Sequence, residues 1–146
     1  MKRNYDNYRD AALKEVLPAV EKAYHVSKDR TQRAIAGLSM GGAESLYVGL
    51  NNIDTFAWVG AFSAGGSSAD NDATYPGLAE KAKKLKLLWI ACGTEDRLIG
   101  PNRQFVEWLK SKEIKHTWVE TGGAHTWMVW RRNLATLASM LFQDKS

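Results

Sequence analysis

Apolar residues recur at two different spacings along this chain, and each spacing predicts a different element. They recur every three or four residues, as on one face of an α-helix, in residues 6–24, 41–51, 102–112 and 127–142. Short apolar runs and one alternating segment predict β-strands at 33–38, 57–62, 86–92 and 116–121. The stretch between 62 and 84 predicts a loop with a short helix. Strands that alternate with helices are typical of an α/β fold, a parallel sheet with flanking helices.

A glycine-rich sequence, IAGLSMGG at residues 35–42, lies where a predicted strand ends and a helix begins. Ser39 stands there in the pattern Gly-x-Ser-x-Gly. That pattern also occurs by chance in loops, but the strand before it and the helix after it favour a nucleophile elbow, a strained turn that presents the serine. We expect that Cβ atoms at positions 37 and 41 would collide as the strand and the helix close around the serine, so that glycine is needed at both. We also expect the helix from about Met40 to direct its amides at the serine oxygen. The alternative is a structural Gly/Ser turn.

A serine hydroxyl needs a base, and the chain contains three histidines. His25 follows an amphipathic stretch and is explained as a polar residue at a helix end. His116 opens an alternating segment and is explained as an ordinary strand residue. His125 lies in TGGAHTW, a glycine-rich loop between the last predicted strand and the last helix. Because catalytic bases are commonly held on loops between rigid elements, we predict that His125 is the base. The alternative is an ordinary loop histidine.

The base in turn needs a carboxylate that orients it. The segment GTED at residues 93–96 follows the buried run from Leu87 to Ala91, and we favour Asp96 as this carboxylate. Glu95 stays an alternative, because it is the adjacent residue and carries the same charge. Polar turns explain three further candidates, which are Asp54, Asp70 and Asp72.

The order serine, aspartate, histidine, each after its own strand, is the order of the α/β-hydrolases. The segments GLSMGG, CGTED and GGAHTWMVWRRNL resemble the esterase-D-like family, which includes the feruloyl and acetyl-xylan esterases of carbohydrate esterase family 1 and, more distantly, the enterochelin esterases. The resemblance covers nearly the whole chain. It implies an α/β-hydrolase fold with Ser39 as nucleophile, His125 as base and Asp96 as orienting acid. It also implies an oxyanion donor at the N–H of Met40.

The resemblance further implies a serine carboxylic-ester hydrolase that acts on acyl esters of carbohydrates or phenolic acids. Its partner would be a small-molecule or polysaccharide-linked ester substrate, and the family points to a secreted or cell-associated bacterial enzyme. Hydrolysis of a siderophore lactone, or of a thioester of the S-formylglutathione type, stays open on the same scaffold. A third interpretation is a non-catalytic half-domain that serves as an assembly partner.

Two features near these residues are candidates for contact with substrate. The loop at residues 62–78 begins at the same end of the sheet as the three catalytic candidates, so this loop and its Ser63 either shape a pocket or form a solvent-exposed connection. Trp127 and Trp130 follow His125 closely. They either stack on an aromatic acyl group or a sugar, or belong to the core, as tryptophans three residues apart on a helix commonly do.

The chain has 146 residues, 45% of them apolar and six of them tryptophan, which is enough for one core and one domain. An α/β-hydrolase domain is usually longer. The four predicted strands correspond to the fifth to eighth of the family's usual layout, so we expect residues 1–146 to be an N-terminally incomplete domain without the loop that carries a second oxyanion donor. The strand at 33–38 would then have an unpaired edge, and we expect it to pair with a second copy or with an N-terminal half.

Charge and composition disfavour several other classes of protein. The net charge of +4 comes mainly from lysine and arginine clusters typical of solvated helix faces, so we expect no nucleic-acid partner. The one cysteine, Cys92, ends an apolar run and is expected to be a packed thiol. The histidines are too scattered for a metal site and no Walker-type phosphate loop appears, so we expect neither metal nor cofactor. No apolar stretch is long enough to span a membrane.

Overall fold

The computed structural model describes residues 2–65 and 70–143, and within them the chain folds around one parallel sheet of four strands. The strands pair in chain order, β1-β2-β3-β4. Their bounds are Ala34–Leu38 for β1, Trp58–Phe62 for β2, Leu87–Gly93 for β3 and Thr117–Thr121 for β4. Each of the four strands lies within one residue of its predicted bounds, and the predicted α/β class is confirmed.

Helices connect successive strands and cover the sheet. The N-terminal helical segment consists of α1 (Lys2–Ala11), a π-helical turn (Ala12–Val16) and α2 (Leu17–Ala23). The later helices are α3 (Met40–Asn51), the short α4 (Asn71–Thr74) and α5 (Leu78–Lys81), α6 (Ile99–Ser111) and α7 (Trp127–Met140). α6 begins three residues before its predicted start, because Pro101 falls in the first turn, where its missing N–H breaks no helical hydrogen bond. None of the helices in the described residues has the length and apolar character needed to cross a membrane.

The central strands are buried on both faces of the sheet. β3 is a continuous apolar run because its alternate side chains point to opposite faces. Leu88 and Ile90 pack on the side of α3 and α6, whereas Trp89 and Ala91 pack on the side of α7. The first cluster also contains Leu46, Leu50, Phe105, Val106 and Leu109, and the second also contains Val129, Trp130 and Leu137. The two clusters hold the helices against opposite faces of one sheet.

β1 is an edge strand, and in the described part of the chain it pairs with β2 alone. Charged residues and proline commonly protect strand edges from pairing with other chains. The sequence of β1, AIAGL, contains neither. Ala36 is exposed, whereas every residue of β2 is buried. Edges of this kind favour pairing with another chain. Association of residues 33–38 with a second copy or with an N-terminal half stays a prediction.

The carboxyl ends of the four strands meet at one edge of the sheet, because all four strands run in the same direction. The loops at this edge carry Ser39 after β1, Ser63 after β2, Asp96 after β3 and His125 after β4. In open parallel sheets this is the edge at which ligands bind. The fold therefore places these four residues at one end of the molecule.

Candidate active site

Ser39 occupies a sharp turn between β1 and α3. Its backbone adopts φ 54° and ψ −122°, a positive φ that costs a non-glycine residue about 1–3 kcal/mol. Two backbone hydrogen bonds hold the turn: Ser39 N–H donates to Phe62 O at 2.8 Å, and Ala43 N–H donates to Ser39 O at 3.1 Å. The result is the strand-turn-helix geometry of an elbow, with the serine at its apex.

Two glycines permit this close turn. A Cβ atom at Gly37 would lie 2.3 Å from Gly41 O, and a Cβ atom at Gly42 would lie 3.0 Å from both Gly37 O and Phe62 O. A Cβ atom at Gly41 would meet no atom within 4 Å. The predicted need for glycine is therefore confirmed at position 37 and wrong at position 41. The reason is that Gly42 faces the end of β2, while the Cβ direction of Gly41 is open.

Three side chains from three loops form one hydrogen-bonded chain. His125 Nε2 lies 3.0 Å from Ser39 Oγ, and His125 Nδ1 lies 2.8 Å from Asp96 Oδ2. Asp96 is 2% exposed, and His125 is partly buried. The structure thus brings together three residues that the sequence singled out, although 86 positions separate Ser39 from His125.

The Asp96 carboxylate is surrounded by hydrogen-bond donors. Burial alone would raise the pKa of this group. Hydrogen bonds from Leu98 N–H, which lies 2.9 Å from Oδ1, from the Ser63 hydroxyl and from His125 more than offset burial, so the pKa of Asp96 lies below its usual value. Asp96 is therefore ionised at neutral pH and accepts a hydrogen bond from His125 Nδ1–H.

The other acidic and basic candidates lie apart from this chain. Glu95 is exposed, and its backbone N–H donates to Gly123 O at 3.0 Å. Of the two carboxylates that the sequence left open, it is Asp96 that contacts the histidine. His116 Nδ1 lies 2.7 Å from Ile114 O, and His25 is exposed at the end of the N-terminal helical segment.

The loops after β3 and β4 approach each other through their backbones. A Cβ atom at Gly93 would lie 2.2 Å from Gly123 O, so a side chain there would require the backbone to move. Thr94 N–H donates to Thr121 O at 2.9 Å, and Gly123 adopts φ 119°, a region that favours glycine. This contact was not predicted from the sequence, although CGTED and TGGAH each place a glycine directly at the end of a strand.

Ser63 follows β2 and does not face solvent. It is 0% exposed, and its hydroxyl accepts a hydrogen bond from Trp130 Nε1 at 3.0 Å and contacts Asp96. The predicted substrate contact at Ser63 is therefore wrong, because this buried side chain leaves no surface for a ligand. Residues 66–69 of the loop at 62–78 lie outside the described residues. The pocket prediction for that part of the loop therefore also concerns residues that the structure does not describe.

The two tryptophans after the histidine have opposite environments. Trp130 is 8% exposed, and its ring is perpendicular to that of His125, with 4.8 Å between centroids. Trp127 is 72% exposed and packs against Trp130 at 5.4 Å. The core interpretation thus holds for Trp130, whereas Trp127 presents an open aromatic surface. Contact between Trp127 and substrate stays a prediction.

Met40 is the first residue of α3, so its N–H is one of the four amides that have no acceptor within the helix. It directly follows Ser39, at the helix end where the dipole favours negative charge. An anion that forms on a group bonded to Ser39 Oγ would meet both a donor and a favourable potential there. The geometry suits an oxyanion donor at this amide.

Two solved structures with a similar fold are ferulic acid esterases. The chain is similar to a ferulic acid esterase, with a TM-score of 0.82, 26% identity, and coverage of 93% of this chain and 62% of that chain. It is also similar to a ferulic acid esterase of carbohydrate esterase family 1 from Anaeromyces mucronatus, with a TM-score of 0.83, 24% identity, and coverage of 96% of this chain and 56% of that chain. The fold is of the α/β-hydrolase type.

Two curated relatives are also named as esterases. An endo-1,4-beta-xylanase/feruloyl esterase from Xylanibacter ruminicola is 31% identical over 140 residues, which are 94% of this chain and 18% of the relative. An acetyl esterase from Caldicellulosiruptor saccharolyticus is 23% identical over 155 residues, covering 83% of this chain and 58% of the relative. The chain thus spans less than two thirds of either relative. The Esterase family model, described as "Putative esterase", matches residues 2–140, and the chain belongs to that family.

Gly37→Ala is expected to lower the free energy of unfolding by about 1–3 kcal/mol, because the added methyl group would force backbone apart at the turn. Gly41→Ala is the matched control. Its methyl group enters open space, and alanine favours a helix by up to about 1 kcal/mol over glycine. Denaturant titration of both variants measures the difference, and equal destabilisation by the two substitutions would contradict this account of the turn.

Proposed function

We propose that this chain hydrolyses carboxylic esters through a catalytic triad of Ser39, His125 and Asp96. The observation that carries the proposal is the continuous hydrogen-bonded chain from Asp96 Oδ2 through the His125 ring to Ser39 Oγ. The strained turn at Ser39 supports it, because such strain persists mainly at functional sites. Membership of the Esterase family and relatives named feruloyl esterase and acetyl esterase support the same reaction class.

The first half-reaction transfers the acyl group to the serine. Ionised Asp96 holds the proton on His125 Nδ1, which leaves the Nε2 lone pair directed at the Ser39 hydroxyl. His125 takes the hydroxyl proton as Ser39 Oγ attacks the carbonyl carbon. Met40 N–H donates to the oxyanion that develops at the N-terminus of α3. The alcohol then leaves with the proton from His125.

The second half-reaction releases the acid. His125 removes a proton from water, and the resulting nucleophile attacks the acyl group on Ser39. Collapse of this second tetrahedral intermediate returns the proton to Ser39 Oγ. In both halves the imidazole becomes positively charged in the transition state, and the ionised Asp96 stabilises that charge in a buried environment where the interaction is strong.

We infer that the substrates are acyl esters of carbohydrates or phenolic acids. One relative is named for feruloyl ester hydrolysis and another for acetyl ester hydrolysis. In this chain, Trp127 supplies an open aromatic surface next to Trp130, which itself contacts His125. A flat, exposed indole suits contact with a phenolic ring or with the apolar face of a sugar.

Ser39→Ala is expected to lower kcat for p-nitrophenyl acetate by about 10⁶, the effect of removing one member of a cooperating triad. An active-site-directed phosphonate should label the unsubstituted chain at Ser39 and leave the variant unlabelled, as read from the mass of the protein. A folded chain that neither hydrolyses the ester nor reacts with the phosphonate would contradict the proposal. That outcome would favour the assembly-partner interpretation.

Asp96→Asn is expected to lower kcat by about 10⁴, because a neutral amide cannot hold His125 in the required tautomer or stabilise its positive charge. Glu95→Gln removes the adjacent, exposed carboxylate and serves as the matched control, with kcat close to that of the unsubstituted chain. Steady-state kinetics on one ester measure both variants. The opposite ranking would assign the orienting carboxylate to Glu95.

Trp127→Ala is expected to raise KM for a feruloyl ester by about threefold to tenfold through loss of an aromatic contact. KM for an acetyl ester should change little, and Trp127→Phe should retain most of the preference for the aromatic substrate. A thioester in the same panel shows whether sulfur leaving groups are accepted. Equal effects on the feruloyl and acetyl esters would argue against aromatic contact at this position.

A further inference from the structure

A second polar chain meets the Asp96 carboxylate, and we propose that it positions the triad: Trp130 holds the Ser63 hydroxyl, and Ser63 holds Asp96. This inference rests on the proposed function, since Asp96 needs a fixed orientation for catalysis only if His125 acts as the base. Ser63 acts through Asp96, and Trp130 acts through Ser63 and the His125 ring. Both are therefore positioning residues.

Ser63 has an unusual backbone conformation at the end of β2. Its φ is 49°, and its N–H donates to Ala91 O at 2.7 Å. A positive φ at a non-glycine residue is strained and persists where the surrounding structure determines it. Here it accompanies a fully buried hydroxyl. The conformation thus directs a polar group into the interior.

The hydrogen bonds around Ser63 Oγ determine where its single proton points. Trp130 Nε1–H, which can only donate, lies 3.0 Å from this oxygen. Cys92 Sγ lies 3.9 Å away, and burial raises the pKa of its thiol to about 11, so the thiol keeps its proton. The acceptor for the Ser63 proton is the Asp96 carboxylate. Hydrogen bonds to an ionised acceptor are about twice as strong as neutral ones.

Ser63 shares the Asp96 carboxylate with other donors, among them the buried Cys92 thiol. Leu98 N–H lies 2.9 Å from Oδ1, and His125 Nδ1 lies 2.8 Å from Oδ2. An ionised carboxylate in the interior is costly unless its lone pairs are matched by donors. Together these donors keep the group ionised and keep Oδ2 directed at the histidine. Loss of the Ser63 donor would weaken both effects.

Trp130 connects this set of donors to the histidine ring itself. It lies in the first turn of α7, perpendicular to the His125 ring at 4.8 Å, and its N–H donates to Ser63. One side chain thus limits the tilt of the base and holds a donor to Asp96. Phenylalanine at this position would keep an aromatic ring and lose the N–H, so the two contributions are separable.

The decisive comparison is between Trp130→Phe and Trp89→Phe. Trp89 is buried in the same cluster on the α7 face of the sheet, and its Nε1 has no acceptor within the part of the chain that the structure describes. Exchange at Trp89 therefore alters packing without breaking a hydrogen bond. We expect kcat for ester hydrolysis to fall about tenfold or more in Trp130→Phe with KM little changed. Trp89→Phe should keep kcat near that of the unsubstituted chain.

Ser63→Ala and the double variant show whether the two residues act as one chain. Ser63→Ala removes the donor itself, and we expect kcat to fall by about 10-fold to 100-fold. If Trp130 acts through Ser63, the double variant should lose no more than Ser63→Ala alone. A loss of kcat in the double variant equal to the product of the two single losses would overturn the proposal. A loss of kcat in Trp89→Phe equal to that in Trp130→Phe would also overturn it. Either result would indicate a general packing effect.

Proton NMR supplies a readout that does not depend on turnover. The proton between His125 Nδ1 and the Asp96 carboxylate should give a low-field resonance in the unsubstituted chain. We expect this resonance to shift or broaden in Ser63→Ala and Trp130→Phe and to stay unchanged in Trp89→Phe. An inactive unsubstituted chain would contradict the proposed function. An active chain in which Ser63→Ala and Trp130→Phe keep both the resonance and kcat would overturn this inference alone.

Discussion

The close approach of two backbone segments, at Gly93 and Gly123, is the constraint on which the site depends. A Cβ atom at Gly93 would lie 2.2 Å from Gly123 O, and the contact forms because β3 and β4 are adjacent and parallel. It holds the loop of Asp96 against the loop of His125, so that Oδ2 and Nδ1 lie 2.8 Å apart. A side chain at Gly93 would separate the carboxylate from the imidazole that it orients.

Ser39 and Ser63 repeat one backbone geometry on neighbouring strands. Each follows the last residue of its strand, has a positive φ, and donates its N–H to the next strand, Ser39 to Phe62 O and Ser63 to Ala91 O. The difference lies in what comes next along the chain. α3 begins directly after Ser39, which places that hydroxyl at a helix N-terminus, whereas Ser63 leads into a loop and its hydroxyl enters the interior. The same turn thus presents the proposed nucleophile on one strand and supports its acid from the next.

Local pattern was enough to predict the elements and two of the site residues. Helical and strand periodicities are properties of short segments, so four strands were placed within one residue. The larger errors concerned helix starts: α1 begins at Lys2, four residues before its predicted start, and α6 begins at Ile99, three residues before its own. Ser39 and His125 were found for a similar reason. Each lies in a glycine-rich turn whose neighbouring strand and helix are visible in the same stretch of sequence. The parallel direction of the strands then follows from their alternation with helices.

What the sequence by itself determined is therefore the set of elements, the α/β class and the candidate nucleophile and base, because these depend on neighbouring residues. Tertiary structure alone decided which of two adjacent carboxylates, Asp96 or Glu95, meets the histidine. It also decided that Gly42 and not Gly41 lies against β2, and that Ser63 is buried. Each of these outcomes depends on which loops approach each other across the edge of the sheet. The spacing of residues within one segment does not contain those distances.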